Sequence, residues 1–271
     1  MEKPVWHFPQ SVTEALTFLQ EDKSHLHAGG TGIKRHMLRK WNSVVDISRL
    51  PIKEIKTDGE TIDLGSGLTF AEVVDYFAEK DKNHILYKAL ERSASVSLRN
   101  RITLGGSLAA FPSWSDLAGP LLALDAEVTI EGKAKNRILL SEYFHDANYH
   151  RNSIITAIHI PVKSPHNFYY RQVRVQFDYP TFTVSVTADL TDGKWLDGRI
   201  IVVGTTGKFS RLEKLESYLK EFSGKDFDRK SAKENIELHF NNKPYCGSEY
   251  LEMIAAEKVL NGVSAILGGE Q

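Results

Sequence analysis

The sequence predicts a mixed α+β fold in two parts: a larger α/β region over 1–162 and a smaller α+β domain over 163–271. Three observations carry this reading. Strand-like and helix-like patterns alternate over 1–160. The run Pro161-Val162-Lys163-Ser164-Pro165-His166-Asn167 then reads as a linker. Beyond it the texture changes to paired β runs followed by a long helical pattern.

In order along the chain, Ser11-Val12-Thr13-Glu14 is a capping box, and Val12, Ala15, Leu16 and Leu19 form one helical face behind it. Residues 24–28 read as a strand that ends in Gly29-Gly30-Thr31-Gly32. Residues 33–40 read as a basic helix, with Lys34, Arg35, Arg39 and Lys40, and Val44-Val45-Asp46-Ile47 is the next strand. Thr61-Ile62-Asp63-Leu64 runs as a strand into Gly65-Ser66-Gly67. Thr69-Phe70-Ala71-Glu72 is a second capping box, opening a helix with Val73, Val74 and Phe77 on one side. Residues 85–97 are helix-like. Ile102-Thr103-Leu104 approaches a second glycine pair, Gly105-Gly106, as a strand would. Residues 126–130 and 153–160 alternate like strands. In the second part, 181–190 and 199–204 are β-rich around a turn at Asp192-Gly193, and a final helix runs through Tyr250, Ile254, Val259 and Leu260 to Gly268-Gly269.

Composition narrows the function. The hydrophobic fraction of 41% is that of a globular protein, and a net charge of -1 gives no reason to expect nucleic acid or an anionic membrane as partner. The one cysteine, Cys246, excludes a disulfide framework and a Cys-ligated iron–sulfur cluster. No signal-peptide core or membrane-length apolar run is present, so a soluble cytoplasmic protein is expected. The ten histidines lack the spacing of a zinc site, and no G-x-S-x-G elbow occurs, so no metal ligand and no catalytic acid, base or nucleophile is assigned. Gly65-Ser66-Gly67 fails as a dinucleotide fingerprint because Phe70 stands at the third glycine. Gly204-Thr205-Thr206-Gly207-Lys208 is too short for a P-loop.

The two glycine pairs remain. A glycine-rich turn can take positive φ and aim successive N–H groups at one anion, with a following helix N-terminus adding to the field. A plain tight turn is the other reading of the first pair. The second pair stands in a more informative string, Arg99-Asn100-Arg101-Ile102-Thr103-Leu104-Gly105-Gly106-Ser107, followed by Ser115-Asp116 and by Pro120-Leu121-Leu122-Ala123-Leu124-Asp125-Ala126.

That string resembles the FAD-binding subunits of molybdenum hydroxylases, the group of the carbon monoxide dehydrogenase medium subunit and the xanthine dehydrogenase flavin domain. Ala28-Gly29-Gly30-Thr31 fits the family's A-G-G-T, Asp46-Ile47 its V-D-[IL] strand, and Gly65-Ser66-Gly67-Leu68-Thr69 its I-G-A-x-T turn. The resemblance runs from about Pro4 to Pro161. It implies an FAD-binding domain of the PCMH/VAO type over 1–162, in two subdomains of about 1–53 and 54–162, with 163–271 a C-terminal domain of the carbon monoxide dehydrogenase flavoprotein type.

By the same resemblance, Leu26, His27, Ala28, Gly29, Gly30, Thr31, Gly32 and Ile33 wrap the FAD diphosphate. Thr103, Leu104, Gly105, Gly106 and Ser107 supply a second set of amides and hydroxyls. Asp116 hydrogen-bonds the cofactor, although a helix cap is its plainer role. Ile155 contacts the flavin end, or is simply a core strand residue. Arg171, where relatives carry lysine, offers a cation to reduced flavin. The implied partners are a molybdopterin-binding large subunit, a [2Fe-2S] small subunit, and NAD or another electron acceptor. Three stretches depart from the pattern: Ser107 for asparagine, 111–114, and 173–180. A second reading is a stand-alone reductase of the UDP-N-acetylenolpyruvoylglucosamine reductase type, whose P-G-x-x-G-G loop is not matched by Arg101-Ile102-Thr103 before Leu104-Gly105-Gly106. A third is a non-catalytic assembly subunit, against which the intact glycines argue.

Overall fold

The computed structural model describes residues 3–132, 136–150, 152–163, 165–175, 178–221 and 227–268. The chain begins β1 (Val5–His7), α1 (Val12–Leu19), β2 (Ser24–His27), α2 (Arg35–Leu38), β3 (Ser43–Asp46), β4 (Ile55–Thr57), β5 (Thr61–Gly65) and α3 (Phe70–Lys80). It continues α4 (Ile85–Leu90), α5 (Val96–Arg99), α6 (Leu104–Ala110), α7 (Ala118–Ala123), β6 (Glu127–Glu131), β7 (Asn136–Leu139), α8 (Leu140–His145) and β8 (Ile154–Pro161). The last third holds β9 (His166–Gln172), β10 (Phe182–Thr191), β11 (Lys194–Val203), β12 (Phe209–Arg211), α9 (Glu213–Glu221), α10 (Arg229–Lys233) and α11 (Ser248–Leu267). Ser164 of the linker, Gln176 and Phe177 of the 173–180 stretch, and Gly269 lie outside the described residues.

Two compact units form: one from 1–73, 95–110 and 125–162, the other from 74–94, 111–124 and 163–271. The division is not linear in sequence. Two excursions from the first 162 residues pack with the C-terminal part, because their apolar helices α4 and α7 lie on its sheet.

The first unit has two sheets. The smaller is parallel, in the order β1-β3-β2. Its central strand β3 is buried along its whole length, and α1 packs Ala15 and Leu19 into a core with Val45, Leu50 and Ile52. Ser11 starts α1 as its spacing predicts: its Oγ accepts the Glu14 N–H at 3.1 Å. The larger sheet is antiparallel, in the order β4-β5-β8-β6-β7. Leu64, Val128 and Ile158 are buried on its inner face, the period-2 alternation expected of a half-covered sheet. On the same sheet both ring nitrogens of His159 are engaged, Nδ1 with Asp63 at 2.6 Å and Nε2 with Thr129 at 2.7 Å. The second capping box closes reciprocally: the Glu72 N–H donates to Thr69 Oγ1 at 3.2 Å, and the Thr69 N–H to Glu72 Oε2 at 2.7 Å.

The second unit is built on the antiparallel sheet β12-β11-β10-β9. Strand β10 is covered on both faces. Phe182, Val184, Val186 and Ala188 join a core with Leu215, Leu219, Val259 and Val263. The alternate residues Thr183, Ser185 and Thr187 carry hydroxyls, and Thr187 donates to the carbonyl of Ala123 in α7 at 2.6 Å. Gly119 lets α7 approach this closely, since a Cβ there would stand 2.7 Å from Ser185 Oγ. The β10–β11 hairpin turns at Asp192-Gly193, with φ of 51° and 75° as an I′-type turn requires.

Three sequence expectations change. The basic helix over 33–40 is a single turn, α2. The helix over 85–97 is broken into α4 and α5, because Ala94 takes a φ of 58° and Ser95 caps α5 afresh. The second glycine pair is not a turn after a strand; it lies in the first turn of α6. Among the described residues no helix is long and apolar enough to cross a membrane.

Candidate cofactor site

The first glycine turn leaves the end of β2. Leu26 is held there by pairing with Val45, and the His27 carbonyl accepts the Ile47 N–H at 2.9 Å. The chain then reverses through Gly30, whose φ is +69°, and closes with the Ile33 N–H donating to the Gly30 carbonyl at 3.2 Å. Both glycines are required by space. A Cβ on Gly29 would stand 1.5 Å from the carbonyl oxygen of Arg101, and one on Gly30 would stand 2.6 Å from His27 Nε2. His27 is wedged in place, its Nδ1 3.0 Å from Asp46 Oδ2 and its ring edge-on to Trp6 at 5.1 Å.

The N–H groups of Gly29, Gly30, Thr31 and Gly32 donate to no group among the described residues. Four consecutive donors without a protein acceptor, on a partly exposed turn, are what an anion site needs. The helix contribution expected from the sequence is missing. α2 starts only at Arg35, five residues after Gly30, and is too short to carry a useful dipole. What the turn can offer an anion is its own amides.

The second glycine pair does different work. The N–H of Leu104 donates to the Leu68 carbonyl at 2.9 Å, and that of Gly105 to the Ser66 carbonyl at 2.8 Å. The N–H of Gly106 donates to Thr103 Oγ1 at 3.2 Å, and that of Ser107 to the Thr103 carbonyl at 2.9 Å. The amides from Leu104 to Ser107 thus have acceptors inside the protein. The glycines serve contact: a Cβ on Gly105 would stand 2.9 Å from Ser66 Cβ. Gly65-Ser66-Gly67 is pressed in turn against β4's approach, with Gly65 leaving 2.4 Å for a Cβ before the Ile52 carbonyl. What 103–107 can still offer a ligand is the Thr103 N–H, which has no acceptor among the described residues, and the hydroxyls of Thr103 and Ser107. Ile155 lies in β8, buried and paired with Ile130, in the sheet that carries these turns.

Asp116 and Arg171 belong to the second unit and meet each other. Asp116 Oδ1 accepts from Arg171 Nε at 2.8 Å and from the Tyr169 hydroxyl at 2.7 Å. Arg171 also donates to the Asp178 carbonyl at 2.9 Å. Asp116 is only 6% exposed, and burial together with its charge pushes the Tyr169 phenol well above its ordinary range. The capping role weighed for Asp116 goes to its neighbour: Ser115 Oγ accepts the N–H groups of Leu117 and Ala118. Tyr169 went unread in the sequence, where nothing distinguishes it from any other strand tyrosine.

Residues 1–163 match the family model described as the FAD binding domain in molybdopterin dehydrogenase. The chain belongs to this family. It is similar to the nicotine 6-hydroxylase medium subunit of Paenarthrobacter nicotinovorans, 28% identical over 221 residues that cover 78% of each chain. It is also similar to the nicotinate dehydrogenase FAD-subunit of Eubacterium barkeri, 26% identical over 157 residues, 55% of this chain and 53% of that one. Its fold matches a chain in the structure of carbon monoxide dehydrogenase from Hydrogenophaga pseudoflava with a TM-score of 0.86, at 21% identity, over 99% of both chains. Family membership makes FAD the cofactor and an oxidoreductase complex the setting. The first turn suits an FAD diphosphate: its amides at 29–32 have no acceptor among the described residues, and at Gly29 and Gly30 a Cβ would collide with its neighbours.

Proposed function

We propose that this chain is the flavin subunit of a molybdenum hydroxylase, taking electrons from a [2Fe-2S] small subunit and delivering them to NAD or another acceptor. A molybdopterin-binding large subunit would carry the substrate chemistry. The relatives named as medium and FAD subunits support this assembly, and the cytoplasm is the compartment proposed for it. Bound FAD would supply the redox chemistry; the protein supplies position and electrostatics.

The observation that carries the reading is the run of four amides at 29–32 that have no acceptor among the described residues. In this assignment Leu26, His27 and Ala28 anchor the turn, Gly29 to Gly32 present the donors, and Ile33 closes it. Thr103 and Ser107 add hydroxyls, Ile155 adds an apolar wall, and Asp116 with Arg171 forms a fixed, buried charge pair. Since Arg171 is already neutralised by Asp116, its contribution to an anion is weaker than that of a free cation.

The test is reconstitution. Purified alone, the chain should take up FAD stoichiometrically and show a flavin absorption band. Mixed with the two partner subunits of its own complex, it should be reduced when the complex's substrate is added and reoxidised by NAD. A chain that remains colourless after incubation with FAD would overturn the proposal.

A further inference from the structure

Arg101 approaches the first glycine turn twice. Its carbonyl oxygen fills the space beside Gly29 where a Cβ would sit, and its guanidinium Nη2 donates to the Gly29 carbonyl at 3.1 Å. Among the described residues no other side chain hydrogen-bonds to the backbone of 29–32. The segment carrying Arg101 is itself fixed. The Ile102 carbonyl accepts the Phe70 N–H at 2.9 Å, Thr103 bridges to Thr69, and the amides of Leu104 and Gly105 are tied to Leu68 and Ser66. Arg101 is thus a rigid mount reaching over to an otherwise weakly tethered turn.

The Gly29 carbonyl and the Gly30 N–H belong to one planar trans peptide, so they point in opposite directions. Gripping the oxygen therefore sets the direction of the N–H. A Gly-Gly peptide is the one most able to rotate as a unit, since neither neighbour carries a Cβ. We propose that Arg101 is a positioning residue that holds the 29–30 peptide so that the Gly30 N–H faces the FAD diphosphate. The inference rests on the FAD reading above, and it makes Arg101 a holder of the turn rather than a ligand of the phosphate.

The test compares the full-length chain with Arg101→Ala and Arg101→Lys, first stripped of FAD and then titrated with it. In the stripped wild-type chain, 15N relaxation should report Gly30 near the rigid-backbone order parameter of about 0.85, falling below about 0.6 in Arg101→Ala. Thermal unfolding should be unchanged, since the side chain is exposed. The FAD dissociation constant should rise about tenfold in Arg101→Ala, the effect of losing one hydrogen bond to an oriented donor. Arg101→Lys, which can still donate to the Gly29 carbonyl, should recover most of both effects. A Gly30 that stays rigid in Arg101→Ala, or a loosened turn that binds FAD as tightly as wild type, overturns the inference. A wild-type chain that takes up no FAD would instead sink the functional reading, and the order parameter alone would still judge the contact.

Discussion

Replacing Gly29 with alanine separates a functional turn from a decorative one. The new Cβ would be placed 1.5 Å from the Arg101 carbonyl oxygen, and contacts shorter than 3.0 Å are essentially never made by real Cβ atoms. One backbone must therefore retreat by about 1.5 Å, and the obstacle is main chain with no rotamer to escape into. Overpacking of this kind costs about 1–3 kcal/mol in stability. The effect on binding is larger. A shift of that size takes an N–H from a 2.9 Å hydrogen bond to beyond bonding range, and each hydrogen bond to a charged group contributes about 1.5–3 kcal/mol. Losing two of the four donors removes about 3–6 kcal/mol, or about 10²–10⁴ in dissociation constant. Gly32 is the control within the same turn: it has no positive φ, and nothing lies within 4 Å of its added Cβ. Quenching of FAD fluorescence on titration into the stripped protein measures both variants. Gly29→Ala should lose at least about a hundredfold while Gly32→Ala stays within about threefold of wild type. Equal affinities for the two variants would refute the assignment of this turn as the diphosphate site.

Two further outcomes follow from buried ionisable groups. Asp116→Asn leaves the Arg171 guanidinium buried against a neutral partner, so the unit should lose about 3–5 kcal/mol in urea unfolding, whereas Asp178→Asn, paired with the exposed Arg174, should change stability far less. His84 is stacked on Phe77 at 4.0 Å, and its Nδ1 accepts the Leu86 N–H at 3.2 Å; burial lowers its pKa from 6.5 to about 4. Its neutral form is the folded one, so its contribution is fully present above pH 6.5 and is lost as pH falls toward 4, about 3 kcal/mol in all. A His84→Gln variant should be less stable at pH 7 but show a flatter stability profile between pH 6.5 and 4; an unchanged slope would refute the assignment.

What was legible in the sequence was local chemistry. Ser11 with Glu14 and Thr69 with Glu72 start helices at the residues their spacing names, because a capping box needs nothing beyond four consecutive residues. Asp192-Gly193 makes its hairpin for the same reason. Arg99-Asn100 through Asp125-Ala126 pointed to the family because the string is long and specific. What failed was anything set by partners distant in sequence. Gly105-Gly106 follows Ile102-Thr103-Leu104, an apolar run that reads as a strand. The segment is helical from Leu104 because Ser66 and Leu68, almost forty residues earlier, accept its first amides. Propensity alone disfavours a glycine pair in a helix by about 1 kcal/mol per residue; here close packing on Ser66 outweighs that.

The two glycine pairs look alike in sequence, yet a simple accounting of N–H groups divides their roles. A buried or packed amide must find an acceptor, and an amide that has found one inside the protein is no longer available to a ligand. By that rule 104–107 is closed and 29–32 is open. The same rule explains why the closed pair is needed. Gly105 brings α6 onto the Ser66 turn, and the backbone leading into it places the Arg101 carbonyl and guanidinium against Gly29. A side chain at Gly105 would lift that segment, and with it the contact that holds the open turn. If the first turn holds the diphosphate as proposed, the second pair supports it as a mount, and its effect on FAD should pass through Arg101. Combining Gly105→Ala with Arg101→Ala should then weaken FAD binding by less than the product of the two single effects, because both remove the same support.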